Sequence, residues 1–362
     1  MQMKAALSRG PQSSFSLETV ELDRPRPDEV VVRIVATGLC HTDLFAKSTL
    51  PAAMGPAVFG HEGAGVVEKV GALVMDISPG DHVVLSYRHC GACRQCRGGH
   101  PAYCERAQQL NSSGRRPDGS TTITQNGGDV RAAFFGQSSF AEYVVATADN
   151  VVVVDKSVDL ALAAPFGCGF QTGAGAVLNV LAPEDDSTVV VFGAGSVGFA
   201  ALLAARASGV ATLCAVDTVP ARRALAEDFG AVALDPATQD VVAEIRELTG
   251  GGATHTLDTT GIPAVIGQAV SVLRERGTAV VVGLGAPDVT VNIQDLMRKG
   301  KTLRGCIEGD SSVQSFIPRL LALHADGKFP VDRLVTRYPF TDIDRAVADQ
   351  ISGSVVKPVL VW

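Results

Sequence analysis

A chain of 362 residues, 46% of them apolar, is long enough for two domains of ordinary size, each with its own core. Its 31 lysines and arginines face 38 acidic residues, a net charge of −7, and no basic block is longer than a pair such as Arg115-Arg116 or Arg222-Arg223, which argues against nucleic acid as a partner. The opening MQMKAALSRGPQSSF lacks the continuous apolar run of a signal peptide, so the cytoplasm is the expected location; the most span-like stretch, Val189 to Ala205, is short and broken by three glycines and a serine, so no membrane partner is expected.

Residues 1 to about 165 read as short β-branched runs punctuated by glycine and proline: DEVVVRIVATG, AGVVEKVG, GDHVVLS and FAEYVVATADNVVVV. That spacing predicts a β-rich barrel or sandwich. Inside it, HCGACRQCRGGHPAYC sets Cys90, Cys93, Cys96 and Cys104 in the pattern C-x2-C-x2-C-x7-C. In a reducing compartment such a cluster points to metal rather than to disulfides. Tetrahedral zinc with all four positions filled by thiolates fits, and leaves no place open for substrate, so the ion is structural. An iron–sulfur cluster is the alternative, but its bacterial pattern brings the last cysteine closer and follows it with proline, whereas Glu105 follows Cys104. The polar, glycine-punctuated segment 114–131, GRRPDGSTTITQNGGDVR, is predicted to be a long surface loop.

From about residue 170 the texture changes to apolar strands alternating with alanine-rich helical stretches, which predicts βαβ units around a parallel sheet. Gly193-Ala194-Gly195-Ser196-Val197-Gly198 reads G-x-G-x-x-G between the strand-like VVVF and the helix-like FAALLAARASG. In that context Gly193 serves a tight turn, Gly195 lets backbone approach a pyrophosphate, and Gly198 lets helix pack on strand. The next strand, ATLCAVD, ends in Asp217, whose carboxylate is expected to accept from ribose hydroxyls and repel a 2′-phosphate. NAD is therefore expected over NADP, with Arg222 nearby leaving room for some NADP use. Cys214 and Cys306 fall in strand-like runs and are expected in the core. Beyond 308 the chain reads as a helix, SVQSFIPRLLALHADG, closed by Gly327; a second, TDIDRAVADQISG, capped by Thr341 and Gly353; and a strand, VVKPVLVW.

GLCHTDLF (38–45), GHEGAGVVEKVG (60–71), PGDHVV (79–84), GCGFQTGAG (167–175) and GAGSVG (193–198) together resemble the zinc-dependent medium-chain alcohol dehydrogenases over essentially the whole chain, and most of all their aryl-alcohol (benzyl-alcohol) branch. The resemblance implies an α/β plus β architecture: a GroES-like catalytic domain, 1–169 and 308–362, containing the zinc loop 90–104, and a doubly wound Rossmann domain, 170–307, with the active site in the cleft between them. It also implies a catalytic zinc on Cys40, His61 and Cys168, a set that spacing alone does not join. Asp43 then orients the zinc-binding imidazole, and Thr42 takes the proton of the alcohol. Glu62 is either a carboxylate able to reach the metal or a buried, bridged one. His41 and Lys357 match phosphate contacts, and the nicotinamide lies against Thr172 and Val197. Phe45, Tyr87, Phe134 and Phe135 match or adjoin substrate-pocket positions and imply a bulky apolar or aromatic alcohol. Many relatives have a relay histidine where this chain has Phe45, which puts the usual proton route in doubt. His82, His89, His100, His255 and His324 are read as ordinary structural or surface residues.

The expected protein is thus a homodimeric or homotetrameric enzyme with two zinc ions per chain, converting a primary alcohol to an aldehyde with NAD. A thiol-dependent formaldehyde dehydrogenase shares CHTD and GHEGAG and would need cations at the pocket mouth, for which Arg115 and Arg116 are the candidates. A non-catalytic dinucleotide-binding protein would need none of Cys40, Thr42, His61 and Cys168 together, and quinone-reductase-like relatives generally lack both zinc sites.

Overall fold

In the computed structural model, which describes residues 1–362, the chain divides into two compact units. The first comprises Met1–Cys168, Ser312–Leu321 and Asp332–Trp362; the second comprises Gly169–Ser311 and Ala322–Val331. Of the residues expected in the first unit, 1–169 and 308–362, Gly169, residues 308–311 and Ala322–Val331 group with the second.

The first unit is built on β-sheet. Its larger sheet runs Val151–Val154, His82–Leu85, Gly63–Val70, Glu29–Gly38, Lys357–Val361, Val335–Pro339, with Tyr143–Thr147 also paired to Glu29–Gly38. The central strand, EVVVRIVATG, is buried at nearly every position, as its continuous β-branched run requires. Its smaller sheet orders Ala57–Val58, Gln2–Ser8, Ser16–Leu22, Ile123–Gln125, Gly128–Val130.

Part of the segment expected to be loop is therefore sheet. Asn126 and Gly127, with φ +49° and +77°, form the two-residue turn of a hairpin between Ile123–Gln125 and Gly128–Val130. In the same segment Arg116 is buried, with its guanidinium on both oxygens of Glu29 at 2.6 and 2.9 Å and on Asp23 at 2.8 Å.

The second unit carries six parallel strands in the order Val232–Leu234, Thr212–Val216, Thr188–Phe192, Ala253–Asp258, Leu273–Val281, Thr302–Gly305. Strand order reverses beside Thr188–Phe192, the strand that enters the glycine motif, which places that motif at the topological switch point. The sequence that looked most like a membrane span is this strand and the following helix, Ser196–Ala207. No helix of the structure is long and apolar enough to cross a membrane. Cys214 and Cys306 are buried as expected. In the tail the two helices are Val313–Ala325 and Ile343–Ser352; Gly327 and Gly353 have φ +72° and +76° as chain-reversing residues, but the N-cap of the second helix is Asp342, not Thr341.

Candidate active site and metal centres

Helix His41–Thr49 starts at Cys40, and the carboxylate of Asp43 reaches back to accept from the Cys40 N–H at 3.0 Å. This is the geometry of a capping residue, yet Asp43 is fully buried and does more. Its other oxygen accepts from the Gly60 N–H at 3.0 Å and lies 2.8 Å from Nδ1 of His61. With Nδ1–H donating to Asp43, the lone pair of the neutral imidazole is on Nε2, a buried atom with no hydrogen-bond partner. Cys168 is brought to the same place by the turn Ala164–Gly167, which packs so closely on strand His82–Leu85 that a Cβ on Gly167 would fall 2.1 Å from the Leu85 carbonyl oxygen. The ligand atoms of Cys40, His61, Glu62 and Cys168 all lie within 4.8 Å of one another, and all four residues are buried.

A buried imidazole with one nitrogen anchored and the other unpartnered, facing two thiols, fits zinc with an open position. Hydrogen bonding from Cys168, with the charges of the neighbouring His61 and Lys357, holds the Cys40 thiol well below its ordinary pKa despite burial. Burial lowers the pKa of His61, but the charge and hydrogen bond of Asp43 outweigh it and hold the imidazole well above its usual range when no metal competes.

Lys357 departs from the expected role. Its ammonium is fully buried, 2.6 and 2.8 Å from the two oxygens of Glu62 and 3.2 Å from the carbonyl of Leu39, so here it balances the carboxylate beside Cys40 and His61 rather than presenting a cation to phosphate. Of the two readings the sequence left open, Glu62 is the buried, bridged carboxylate, and its oxygen lies within 4.8 Å of the ligand atoms of Cys40, His61 and Cys168.

His41 is exposed and Thr42 partly exposed on the first turn of their helix, and Phe45 is half exposed. Tyr87 and Phe134 are buried. The rings of Phe134 and Phe135, 4.9 Å from each other, both pack against His61, with centroids 5.5 and 4.6 Å from the imidazole. Sequence reasoning missed Gln137, whose buried amide donates to the His61 carbonyl at 2.9 Å and accepts from the Gly63 N–H at 3.0 Å, clamping the backbone on either side of Glu62. No motif marks it; only the tertiary approach of 137 to 61 does.

The cysteine loop is closed without disulfides. Sulfurs of Cys93 and Cys96 stand 3.4 Å apart and those of Cys90 and Cys96 4.0 Å, and all four fall within 4.8 Å of one another. Thiolates about 2.3 Å from a central ion at tetrahedral angles sit roughly 3.8 Å apart, so the loop is shaped for zinc. Backbone N–H groups of Cys96 and then Glu105 lower the Cys93 thiol to about 6, favouring the thiolate that a metal needs.

In the second unit each motif glycine has a distinct reason. Gly193 has φ +92°, a Cβ on Gly198 would fall 1.8 Å from the Gly193 carbonyl oxygen, and a Cβ on Gly195 would meet nothing within 4 Å. That open space above the start of helix Ser196–Ala207 fits a pyrophosphate. Asp217 follows strand Thr212–Val216 and is nearly buried, its carboxylate accepting from the N–H groups of Ala194 at 2.7 Å and Val219 at 2.8 Å, with Arg222 3.8 Å away. A cleft of ≈140 Å³ opens beside it, lined by Val216, Ile262 and Val265 among others, apolar enough for an adenine. Thr172 and Val197 are each partly exposed, on helices Gly169–Gly175 and Ser196–Ala207.

Comparison with known proteins agrees with both units. Residues 26–156 match the alcohol dehydrogenase GroES-like domain and residues 196–324 the zinc-binding dehydrogenase family. The chain belongs to the zinc-dependent medium-chain alcohol dehydrogenases, enzymes that use zinc and a nicotinamide dinucleotide. Among individual proteins, it is 46% identical to geraniol dehydrogenase of Castellaniella defragrans, over 99% of this chain and 97% of that one. The crystal structure of benzyl alcohol dehydrogenase from Acinetobacter calcoaceticus superposes with a TM-score of 0.96 at 41% identity, covering 100% of this chain and 99% of that one. An S-(hydroxymethyl)glutathione dehydrogenase of Saccharomyces cerevisiae is more distant, 31% identical over 98% of this chain and 95% of that one. The cations that such a thiol-adduct activity would call on here are engaged elsewhere, Arg116 on Glu29 and Arg115 on Asp129 at 2.8 Å.

Proposed function

We propose that the chain is an NAD-dependent dehydrogenase of primary alcohols that are aromatic or otherwise bulky and apolar, working reversibly with two zinc ions per chain in a homodimer or homotetramer. The observation that carries the reading is the buried set of Cys40, His61 and Cys168, with Nε2 of His61 unpartnered and the rings of Phe134 and Phe135 packed against its imidazole. Zinc held there would supply Lewis acidity toward the alcohol oxygen, and a bound nicotinamide would supply the hydride acceptor.

The residues do the rest. Asp43 holds His61 in the tautomer that presents Nε2. The Thr42 hydroxyl, two residues from Cys40, takes the alcohol proton. Phe45 cannot pass it on, so it leaves through the exposed His41 imidazole or through water. Gly193, Gly195 and Gly198, with His41, would hold the pyrophosphate of the dinucleotide, Asp217 would select the unphosphorylated ribose, and Thr172 and Val197 would hold the nicotinamide. Phe134, Phe135, Tyr87 and Phe45 supply the apolar surface for the alcohol.

Two relatives support the substrate class. Geraniol and benzyl alcohol, for which these two enzymes are named, are both primary alcohols whose carbinol carbon adjoins an unsaturated carbon, so both give conjugated aldehydes. An apolar group that buries about 100 Å² more than ethanol gains roughly 2.5 kcal/mol at ~25 cal/mol per Å². Benzyl alcohol and geraniol should therefore exceed ethanol by at least about 50-fold in kcat/KM with NAD, and equal efficiencies would overturn the substrate assignment.

A further inference from the structure

Phe135 has φ +51° and ψ +31°, in the left-handed region that an aromatic residue rarely occupies. Between Phe134 and Ser138 two further residues share it, Gly136 at φ +65° and Ser138 at φ +55°. Glycine takes that conformation at no steric cost, whereas a phenylalanine is held there only when its surroundings over-determine it.

The surroundings do so on two sides. Nδ2 of the fully buried Asn150 donates to the carbonyls of Phe135 at 3.1 Å and Gly136 at 3.3 Å. The N–H groups of Gln137 and Ser138 turn back onto the Phe134 carbonyl at 3.1 and 3.0 Å. On the other side the Gln137 amide is tied to the backbone of His61 and Gly63. The turn is thus fastened to the segment that carries the metal-ligand histidine.

What the strained backbone achieves is a ring placement. The Phe135 ring lies over the His61 imidazole with centroids 4.6 Å apart and planes inclined by 32°, while Phe134 meets the same imidazole edge-on at 89°. Asp43 fixes the imidazole at Nδ1 but leaves rotation about that hydrogen bond open, and a ring over the face closes it.

We propose that Phe135 is a positioning residue for the metal-ligand imidazole of His61, its ring laid on that imidazole by a left-handed backbone that Asn150 and Gln137 enforce. The inference rests on the reading of Cys40, His61 and Cys168 as zinc ligands, and metal content of the wild-type protein, measured first, tests that reading separately.

Holoenzymes with Phe135→Gly, Phe135→Ala, Phe135→Leu and Phe135→Tyr are compared by thermal midpoint, by the rate at which a chelator extracts each zinc, and by the absorption spectrum after cobalt(II) replaces zinc. Phe135→Gly should melt above Phe135→Ala, although both lose the ring, because only glycine relieves the backbone. In the Gly, Ala and Leu variants the zinc of the His61 site should be extracted about tenfold or more faster and the cobalt spectrum should shift, with the zinc of the cysteine loop unchanged as internal control. Phe135→Tyr, which keeps the ring, should release the His61-site zinc at the wild-type rate and leave the cobalt spectrum unshifted. A glycine variant that melts at or below the alanine variant overturns the proposal, as do Gly, Ala and Leu variants that hold zinc as tightly as wild type.

Discussion

Oδ1 of Asp43 lies 2.8 Å from Nδ1 of His61, and neither side chain is exposed. The same carboxylate takes the N–H groups of Cys40 and Gly60, so it joins the backbone of Cys40 to the ring of His61, the two proposed zinc ligands. Asp43→Asn keeps the shape and removes the charge. It should weaken zinc at that site by about 10–100-fold. Competition with a chromogenic chelator checks this, and an unchanged affinity would contradict it.

The pair also gives the metal-free protein a pH dependence. The His61 pKa is raised in the folded state, so the contact stabilises fully below the unfolded value of about 6.5 and its contribution is lost as pH rises through the folded value. Zinc runs the other way, since it needs the neutral imidazole and displaces the proton. Urea unfolding of metal-free wild type and Asp43→Asn should therefore show an excess stability of wild type at about pH 6 that shrinks toward pH 9, while zinc affinity rises over the same interval. An excess that grows with pH would contradict this.

Lys357 and Glu62 test a corrected assignment. Removing the ammonium in Lys357→Met leaves the Glu62 carboxylate buried without it, at a cost of about 3–5 kcal/mol, and the double variant Lys357→Met with Glu62→Gln should recover much of that. The KM for NAD should stay as in wild type in the double variant. A raised KM with undiminished stability would restore the phosphate role.

What the sequence made legible was what it encodes locally. The cysteine loop and the glycine turn are short spacings with a mechanism, and each is found folded as its residues require. The Asn126-Gly127 hairpin was equally local and was there to be read, but the polar residues around it hid the strands. Glu62 and Lys357 are separated by 295 positions, and Arg116 and Glu29 by 87, so neither pairing has a signature in spacing; a lysine in a strand looks like a solvent-facing cation until the sheet buries it. The left-handed backbone at Phe135 is likewise invisible, because nothing in FFGQSS demands it.

The proposed preference for NAD rests on Asp217. Its carboxylate also holds the Ala194 and Val219 N–H groups, of which a shorter hydroxyl can satisfy only part. Asp217→Ser should therefore lower kcat/KM with NAD and raise the NADP-to-NAD efficiency ratio at least about tenfold, as expected when about 1–3 kcal/mol of charge-assisted hydrogen bonding is lost and Arg222 no longer faces an anion. Steady-state kinetics with both cofactors decide it, and an unchanged ratio would count against Asp217 as the selector.

The most direct test is zinc stoichiometry alongside NAD reduction, measured on wild type, Cys168→Ser and Cys93→Ser. Wild type should hold two zinc ions per chain and oxidise benzyl alcohol. Cys168→Ser should stay folded, keep the zinc of the cysteine loop and lose turnover by several orders of magnitude, whereas Cys93→Ser should lose the loop zinc and melt earlier. A fully active wild-type enzyme with one zinc or none, or a Cys168→Ser variant that still reduces NAD at the wild-type rate, would contradict the account.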